Sequence, residues 1–465
     1  MKDALTWKAS EVLQKKFDTS LDAVWEYASD PEHGDYTTTV AMKVGKSIGC
    51  PPRNVANVLA EELTTLPGIL KVEVAGAGYV NVWLQPQELF AELQCTVIAC
   101  VPQAPRPSDA PVIIEYSSPN IAKPLGIHHI LSTIIGQTLV NIYRHAGYRV
   151  IAWNYIADWG VQFGKLFVAF RRWGAKPIEE HSLDELLALY VRFHKEVDAV
   201  GQELEEEARR EFKKLEDGDA ALREFLNAVV ATTKISLKHL YERLHVAFDV
   251  DYGEGFYEDK MVPVIAEGKQ KKVFTEGEKG ALVAHFPDDA ALPPYMIVKS
   301  DGATLYSTRD LAQMRYRIDA YHPQAIYIVT DIAQKLHFEQ LIATCKQLQW
   351  DLPAFENILF GRMRFTGSKM STRTGNIVKL EEVLDEGVHR AGRIIAERGE
   401  SIQTENPSEL AEMMGVGALV YGILSQNRKM DIVFDWDNML SFEATVRPTC
   451  STRMHAPVRY CGKRV

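Results

Sequence analysis

Residues 113–136, IIEYSSPNIAKPLGIHHILSTIIG, predict an α/β protein on a doubly wound parallel sheet, because a strand, a polar loop and a helix follow one another there. RVIAWNYIADWG then supplies a second buried strand ending at Asp158, Trp159 and Gly160, and AIYIVT at 325–330 is a short apolar run of the kind that fills a parallel sheet. Ile113, Ile114 and Glu115 read as the end of the first strand, Ser117 to Pro124 as the loop, and Gly126 onward as a helix to Gly147. The first turn of a helix leaves N–H groups unpaired and carries partial positive charge, so anions collect there. Lys123, His128 and His129 add donors and charge where a nucleotide phosphate would sit. The bland alternative is a strand-to-helix turn with two solvent-facing histidines.

The first hundred residues read as a separate small α/β domain. HGDYTTTVAMKVGKSIGCPPRNVANVLAEEL gives a turn, an amphipathic helix broken at Pro51 and Pro52, and a second helix; VEVAGAGYVNVWL alternates like a strand pair. VPQAPRPSDAP, residues 101–111, carries four prolines and reads as a linker with a domain boundary near residue 106. Residues 162–245 read as helical, and Glu205 with Arg209 and Glu206 with Arg210 stand at helical spacing on what looks like a solvated face. Strand-like segments return with KKVFTEGEKGALVAHF and PPYMIVKSDGATLYSTRDLAQMRYRI, and NILFGRMRF reads as a further strand. From Glu381 to about Phe434 the pattern is mostly helical, with no internal repeat or low-complexity tract.

The chain has 465 residues, which predicts two to four domains, and its 46% hydrophobic and 25% charged content supplies an ordinary core. A net charge of −10 argues against a wholly basic surface, and DNA is not an expected partner, although a local basic face could still hold RNA. No apolar run reaches the ~20 residues needed to cross a bilayer, and MKDALTWKASEVLQKKF lacks a signal-peptide core, so a cytoplasmic protein without membrane contact is expected. The six cysteines, Cys50, Cys95, Cys100, Cys345, Cys450 and Cys461, show no paired ligand spacing. Reduced thiols and no structural zinc are expected.

A second piece of chemistry lies far downstream. Lys369, Met370, Ser371, Thr372 and Arg373 stand between Gly367 and Gly375, a basic loop that can close over a triphosphate because glycines supply hinge conformations. Together with EYSSPNIAKP, LSTIIG, WNYIADWGVQFG, KSDGATLYSTRDLA and VFDWDNMLSFE, the loop KMSTRTGN resembles the signatures of class I aminoacyl-tRNA synthetases, and of the arginyl-tRNA synthetase family in particular, from about Gly34 to Glu443.

That resemblance implies a Rossmann-like catalytic domain at 106–385 with a helical insertion at about 162–290, a small α/β N-terminal domain at 1–105 that contacts tRNA, and the start of an all-α anticodon-binding domain at 386–443. GDY at 34–36 and AGAGYVN at 75–81 carry the likeness in the first domain. It implies a monomer that joins L-arginine to tRNA(Arg) through arginyl-adenylate, consuming ATP with Mg2+ as the substrate complex. Lys123, His129, Lys369, Ser371 and Arg373 are the implied catalytic groups, with Pro124, Gly126, His128 and Met370 also in the ATP site. Glu115, Ser118 and Asn120 with Tyr306, Asp310 and Gln334 are implied to hold arginine, whose planar guanidinium suits forked pairing with carboxylates. A cysteinyl or glutamyl relative is disfavoured by the missing zinc spacing and by the set Glu115, Tyr306 and Asp310. A non-catalytic RNA-binding relic is the remaining alternative.

Two departures bear on function. The family's first signature is His-x-Gly-His, whereas this chain reads Gly126, Ile127, His128, His129. The glycine ordinarily lets adenine approach the backbone. Either His128 swings outward and replaces the lost phosphate contact while Gly126 frees room, or ATP binding is impaired. Thr372 replaces a lysine common in other class I enzymes, and Lys123 is placed to compensate in charge.

The second departure is the end of the chain. Family members continue into a long helical domain, but residues 444–465, ATVRPTCSTRMHAPVRYCGKRV, have no acidic residue and no helical periodicity. Loss of one base from codons for a family-like Gly-Asn-Gly-Pro-Thr-Tyr-Leu-Gln-Tyr would give Ala-Thr-Val-Arg-Pro-Thr-Cys-Ser-Thr, so a frameshift is the expectation, and the gene sequence tests it. The apolar face of 408–430 is then expected to lack partners.

Overall fold

In this computed structural model residues 1–28, 33–91, 109–365, 378–399, 402 and 404–436 are described. They divide into two units, Met1–Pro102 and Gln103–Val465. In the first, strands Glu26–Tyr27 (β1), Tyr36–Thr38 (β2), Ile69–Ala75 (β3) and Tyr79–Leu84 (β4) form an antiparallel sheet in the order β1-β2-β4-β3. The expected broken helix is present as Val40–Ile48 and Pro52–Leu63, with Pro52 in the first turn where a missing N–H costs nothing. A helix at Lys2–Phe17, which the sequence reading did not draw, adds Leu5 and Leu13 to a core shared with Trp25, Leu59 and Val82.

The second unit is organised by five parallel strands, Val112–Glu115 (β5), Val150–Ile156 (β6), Val250–Gly253 (β7), Ala325–Asp331 (β11) and Ala354–Phe360 (β12), in the order β12-β11-β5-β6-β7. β6 and β7 extend the sheet from β5 on one side; β11 and β12 extend it on the other. The chain direction of growth therefore reverses between β5 and β11, and such switch points open a crevice at the carboxyl ends of the strands. Alternation along β5 sends Ile114 into one core, beneath helix His129–His145, and Ile113 into the other, beneath helices Tyr306–Tyr321 and Lys335–Gln347. Both faces are covered, as a fully buried VIIE strand requires.

Between β6 and β7 run helices Val161–Trp173, Leu183–Val200, Glu203–Glu216 and Ala220–Arg243, so the helical insertion ends near 243 rather than the expected 290, where β7 returns the chain to the parallel sheet. The expected pairs within the Glu203–Glu216 helix give way to pairs across helices: Glu205 meets Lys165 at 2.6 Å, and Glu207 meets both Arg171 and Arg172. Its acidic stripe packs against a basic neighbour, and Arg209 and Arg210 stay exposed. Helix Glu258–Gln270 leads to a second, antiparallel sheet of Phe274–Glu276 (β8), Leu282–Ala284 (β9) and Tyr295–Val298 (β10).

Four further expectations differ from the structure. YSTRDLAQMRYRI is helix rather than strand, because Ser307 and Thr308 donate their hydroxyls to Met296 and Ile297 carbonyls and pin a helix start against β10. NILFGRMRF is two strands, β12 and Met363–Phe365 (β13), and Ile432–Phe434 (β14) pairs with β13 instead of extending helix Pro407–Leu424. That helix is also partnered: Val416, Leu419 and Ile423 enter the core under the sheet, while Ala411 packs on Ala391 and Ile395 of helix Leu380–Arg398. Met413 and Leu424 remain exposed. Residues 437–465, including the atypical tail, lie outside the described residues.

Candidate active site

The loop after β5 is held in an unusual backbone conformation. Ser117, Ser118 and Ala122 have φ of 69°, 48° and 66°, left-handed values that non-glycine residues adopt only where surroundings compensate. The compensation is a buried network. Ser117 N–H donates to Ser132 Oγ at 3.0 Å, Thr133 Oγ1 to Ser117 Oγ at 3.0 Å, and Ser117 Oγ lies 2.8 Å from Tyr241 OH. Ser118 N–H donates to Asn154 Oδ1 at 3.2 Å, and Ala122 N–H to Thr233 Oγ1 at 3.1 Å. Helix His129–His145 lies close against this loop because Gly136 has no side chain; a Cβ there would enter the Tyr116 ring.

The first signature itself is tied to the chain that follows the basic loop. Gly126 and Lys379 form an antiparallel bridge, Ile127 N–H donates to Val378 O at 2.9 Å, and Leu380 N–H donates to Leu125 O at 2.8 Å. The helix consequently begins at His129, three residues later than the pattern suggests, and its first two N–H groups bond to Gly126 and Ile127 carbonyls. Gly367, Lys369, Met370, Ser371, Thr372, Arg373 and Gly375 lie outside the described residues.

At the switch point a cavity of about 790 Å³ opens between β5, β11 and the helix start. Its wall includes Glu115, Ser118, Asn120, His128, His129, Tyr306, Asp310 and Gln334 from the sequence-derived set. Lys123 is placed differently, with Nζ 4.5 Å from the centre of the Tyr190 ring. Pro124 and Gly126 belong to the same loop without lining the cavity.

The histidines bring donors but not the expected charge. Burial pushes His129 down to about 3, the neighbouring His128 adds to the effect, and a hydrogen bond to Gly126 opposes it. Loss of hydration lowers His128 as well, against the pull of Asp331. The two rings lie 4.0 Å apart, and His129 Nδ1 is 3.0 Å from both the amide and the carbonyl of Gly126. His128 is exposed at the cavity rim.

Acidic groups gather at the opposite end. Glu115, only 5% exposed, accepts from Arg317, which is fully buried and whose guanidinium lies 4.5 Å from the Trp153 ring. Burial raises the Glu115 pKa while Arg317 opposes that shift. Asp310 accepts from His337 Nε2 at 2.6 Å. Tyr306 is 61% exposed, more open than a half-buried tyrosine, with its ring edge-on to His337. Three residues of this region escaped the sequence reading: Arg317, His337 and Glu254. Glu254 lines the cavity, and burial, with Asp310 and Asp158 reinforcing and Arg309 opposing, pushes it up to about 7. No local pattern marks them. Glu254 sits in the short turn after β7, visible only once the sheet is assembled.

Such a cavity has a polar, hydrogen-bonding end near the helix start and an acidic end suited to a cation. Residues 99–436 match the family model described as tRNA synthetases class I (R), catalytic domain, and residues 3–84 match the arginyl tRNA synthetase N terminal domain. The chain belongs to the arginyl-tRNA synthetase family. An arginine–tRNA ligase of Fusobacterium nucleatum is 37% identical over 422 residues, covering 90% of this chain and 74% of that protein. One from Chloroflexus aurantiacus is 38% identical over 413 residues, 87% and 71% of the two chains. Among solved structures, the arginyl-tRNA synthetase of Thermus thermophilus aligns with a TM-score of 0.73 at 22% identity, covering 100% of this chain and 83% of the other. That of Plasmodium falciparum gives 0.72 at 23%, covering 96% and 78%. These two likenesses speak to the fold. No helix among the described residues of this arginyl-family chain is long and apolar enough to cross a membrane.

Proposed function

We propose that the protein ligates L-arginine to tRNA(Arg) in two steps, arginine activation by ATP and transfer of the arginyl group to the terminal adenosine. The observation that carries this reading is the acidic end of the switch-point cavity, where Asp310, Glu115 and Glu254 converge in a chain of the arginyl family. A guanidinium is a planar, permanently charged fork of donors, and carboxylates match it in a way that a lysine ammonium does not. Ser118 and Asn120 on the strained loop, with Tyr306 and Gln334, line the same cavity and would hold the rest of the amino acid.

The arginine carboxylate oxygen attacks the α-phosphorus of ATP, the bond to the bridging oxygen breaks, and pyrophosphate departs. Little side-chain proton transfer is needed, so positioning and charge stabilisation carry the step. His128 and His129, uncharged, would donate hydrogen bonds at the phosphate end; Lys123, Lys369, Ser371 and Arg373 would supply charge and further donors. Mg2+ would arrive as the complex with the nucleotide's phosphates. The N-terminal unit is assigned to tRNA contact, in keeping with its family match. Arginine-dependent ATP–pyrophosphate exchange measured with and without tRNA(Arg) tests the reading. Exchange that depends on arginine is expected; retained tRNA binding without any exchange would instead identify an RNA-binding relic.

A further inference from the structure

The side chain of Asp310 does not stand alone at the acidic end. It lies at the start of the second turn of helix Tyr306–Tyr321, and His337 lies on the first turn of helix Lys335–Gln347. The His337 Nε2 to Asp310 Oδ2 distance is 2.6 Å, and the other ring nitrogen, Nδ1, is 3.1 Å from Tyr295 OH on β10. Both His337 and Asp310 side chains are 14% exposed, and Tyr295 is 3% exposed. Three elements therefore meet on one imidazole. Each is anchored: Thr308 binds the Ile297 carbonyl, and Gln340 Nε2 donates to Pro293 O at 2.8 Å.

We propose that His337 is a positioning residue for arginine selection, its Nε2–H turning Asp310 so that one carboxylate oxygen is held by the protein and the other faces the substrate guanidinium, with Tyr295 fixing the imidazole tautomer. This rests on the reading of Asp310 as an arginine ligand. The direction of the chain follows from donor and acceptor roles. An ionised carboxylate only accepts, so the ring nitrogen facing it carries the proton; in the neutral imidazole the other nitrogen accepts, and Tyr295 donates to it. Burial holds the Tyr295 hydroxyl far above its usual pKa, which keeps that donor in place. Without the imidazole the carboxylate regains rotation about its terminal torsion, and the oxygen that faces the guanidinium is no longer preset.

The test is aminoacylation and pyrophosphate-exchange kinetics of full-length His337→Leu, His337→Gln, Tyr295→Phe and Asp310→Asn. A Gln amide reaches the position of imidazole Nε2 and restores the donor. His337→Leu is expected to raise the arginine KM about 10- to 100-fold, the scale of a hydrogen bond to a charged group, with the ATP KM unchanged. His337→Gln should recover most of the loss, and Tyr295→Phe should give a smaller rise of the same kind. An unchanged arginine KM in His337→Leu while Asp310→Asn is impaired overturns the positioning role alone. So does an equal loss in the Leu and Gln variants that spreads to the ATP KM. An Asp310→Asn variant with an unaltered arginine KM overturns the parent assignment instead, and the positioning role with it. Tyr295→Phe, the mildest change, keeps the question open to measurement if His337→Leu fails to fold.

Discussion

Glu254 is expected to make arginine binding sensitive to pH. Its carboxyl is pushed up to about 7 by burial in the company of Asp310 and Asp158, so near neutral pH about half the unliganded molecules hold it protonated. A guanidinium beside it favours the charged form, and binding then expels the proton. If only the ionised form binds well, the apparent affinity is scaled by the ionised fraction, which is roughly 0.9 at pH 8 and roughly 0.1 at pH 6. The arginine KM should accordingly rise about tenfold from pH 8 to pH 6. Burial pushes His129 down to about 3, below this range, and shifts His128 downward as well. The sign for stability is the reverse. A carboxyl raised in the folded state stabilises the unliganded protein fully below the unfolded value near 4.5, and that contribution, on the order of 3 kcal/mol, is lost as pH rises through about 7. Arginine titrations by calorimetry in two buffers of different ionisation enthalpy should show release of about half a proton at pH 7, and Glu254→Gln should abolish both the release and the KM slope. A flat KM between pH 6 and 8, or a Gln variant with the wild-type slope, refutes the argument.

His128→Gly should raise the ATP KM roughly fivefold, the loss of one neutral hydrogen bond worth about 1 kcal/mol; a lower KM would mean that the ring crowds adenine. Lys123→Ala should cut pyrophosphate exchange at least ~10²-fold, although Nζ must first leave the Tyr190 ring, and near wild-type exchange removes it from the mechanism. Arg317→Met should destabilise the protein by about 3–5 kcal/mol in denaturant unfolding, because Glu115 is left buried and unpaired. The double variant Arg317→Met with Glu115→Gln should regain most of that, and a single-variant loss below about 1 kcal/mol contradicts the account. Deleting residues 1–105 should raise the tRNA KM and spare those for ATP and arginine; an unchanged tRNA KM counts against a tRNA role.

What the sequence discloses here depends on the reach of the interaction. VIIE, AIYIVT and RVIAWNYI report burial on both faces through composition alone, and the parallel sheet they form needs no further information. Partnerships are another matter. Arg317 lies 202 positions from Glu115, and Lys165 lies 40 from Glu205. Periodicity assigns such residues to a face and says nothing of what the face meets, which is why Glu205 was paired with Arg209 on its own helix. The same limit hid Glu254 and His337, each on a first turn or tight connection where no repeat accumulates. Helix Tyr306–Tyr321 failed for a different reason: its start is fixed by hydroxyls reaching back to β10, a tertiary contact that overrides a strand-like preamble.

The order Gly126, Ile127, His128, His129 acquires a physical reading from the same contacts. His128 has φ of −62° and ψ of −23°, ordinary helical values, so the backbone there does not require the family's glycine and accepts a side chain without strain. Gly126 contributes something else. Its amide and carbonyl both stand 3.0 Å from His129 Nδ1, and the bridge to Lys379 passes through the same residue. The substituted signature thus keeps the register of the last histidine by tying its ring to backbone that is itself bonded to the exit of the basic loop. Main-chain hydrogen bonds join Leu125–Ile127 to Val378–Leu380, and a side-chain substitution at position 128 leaves all of them in place.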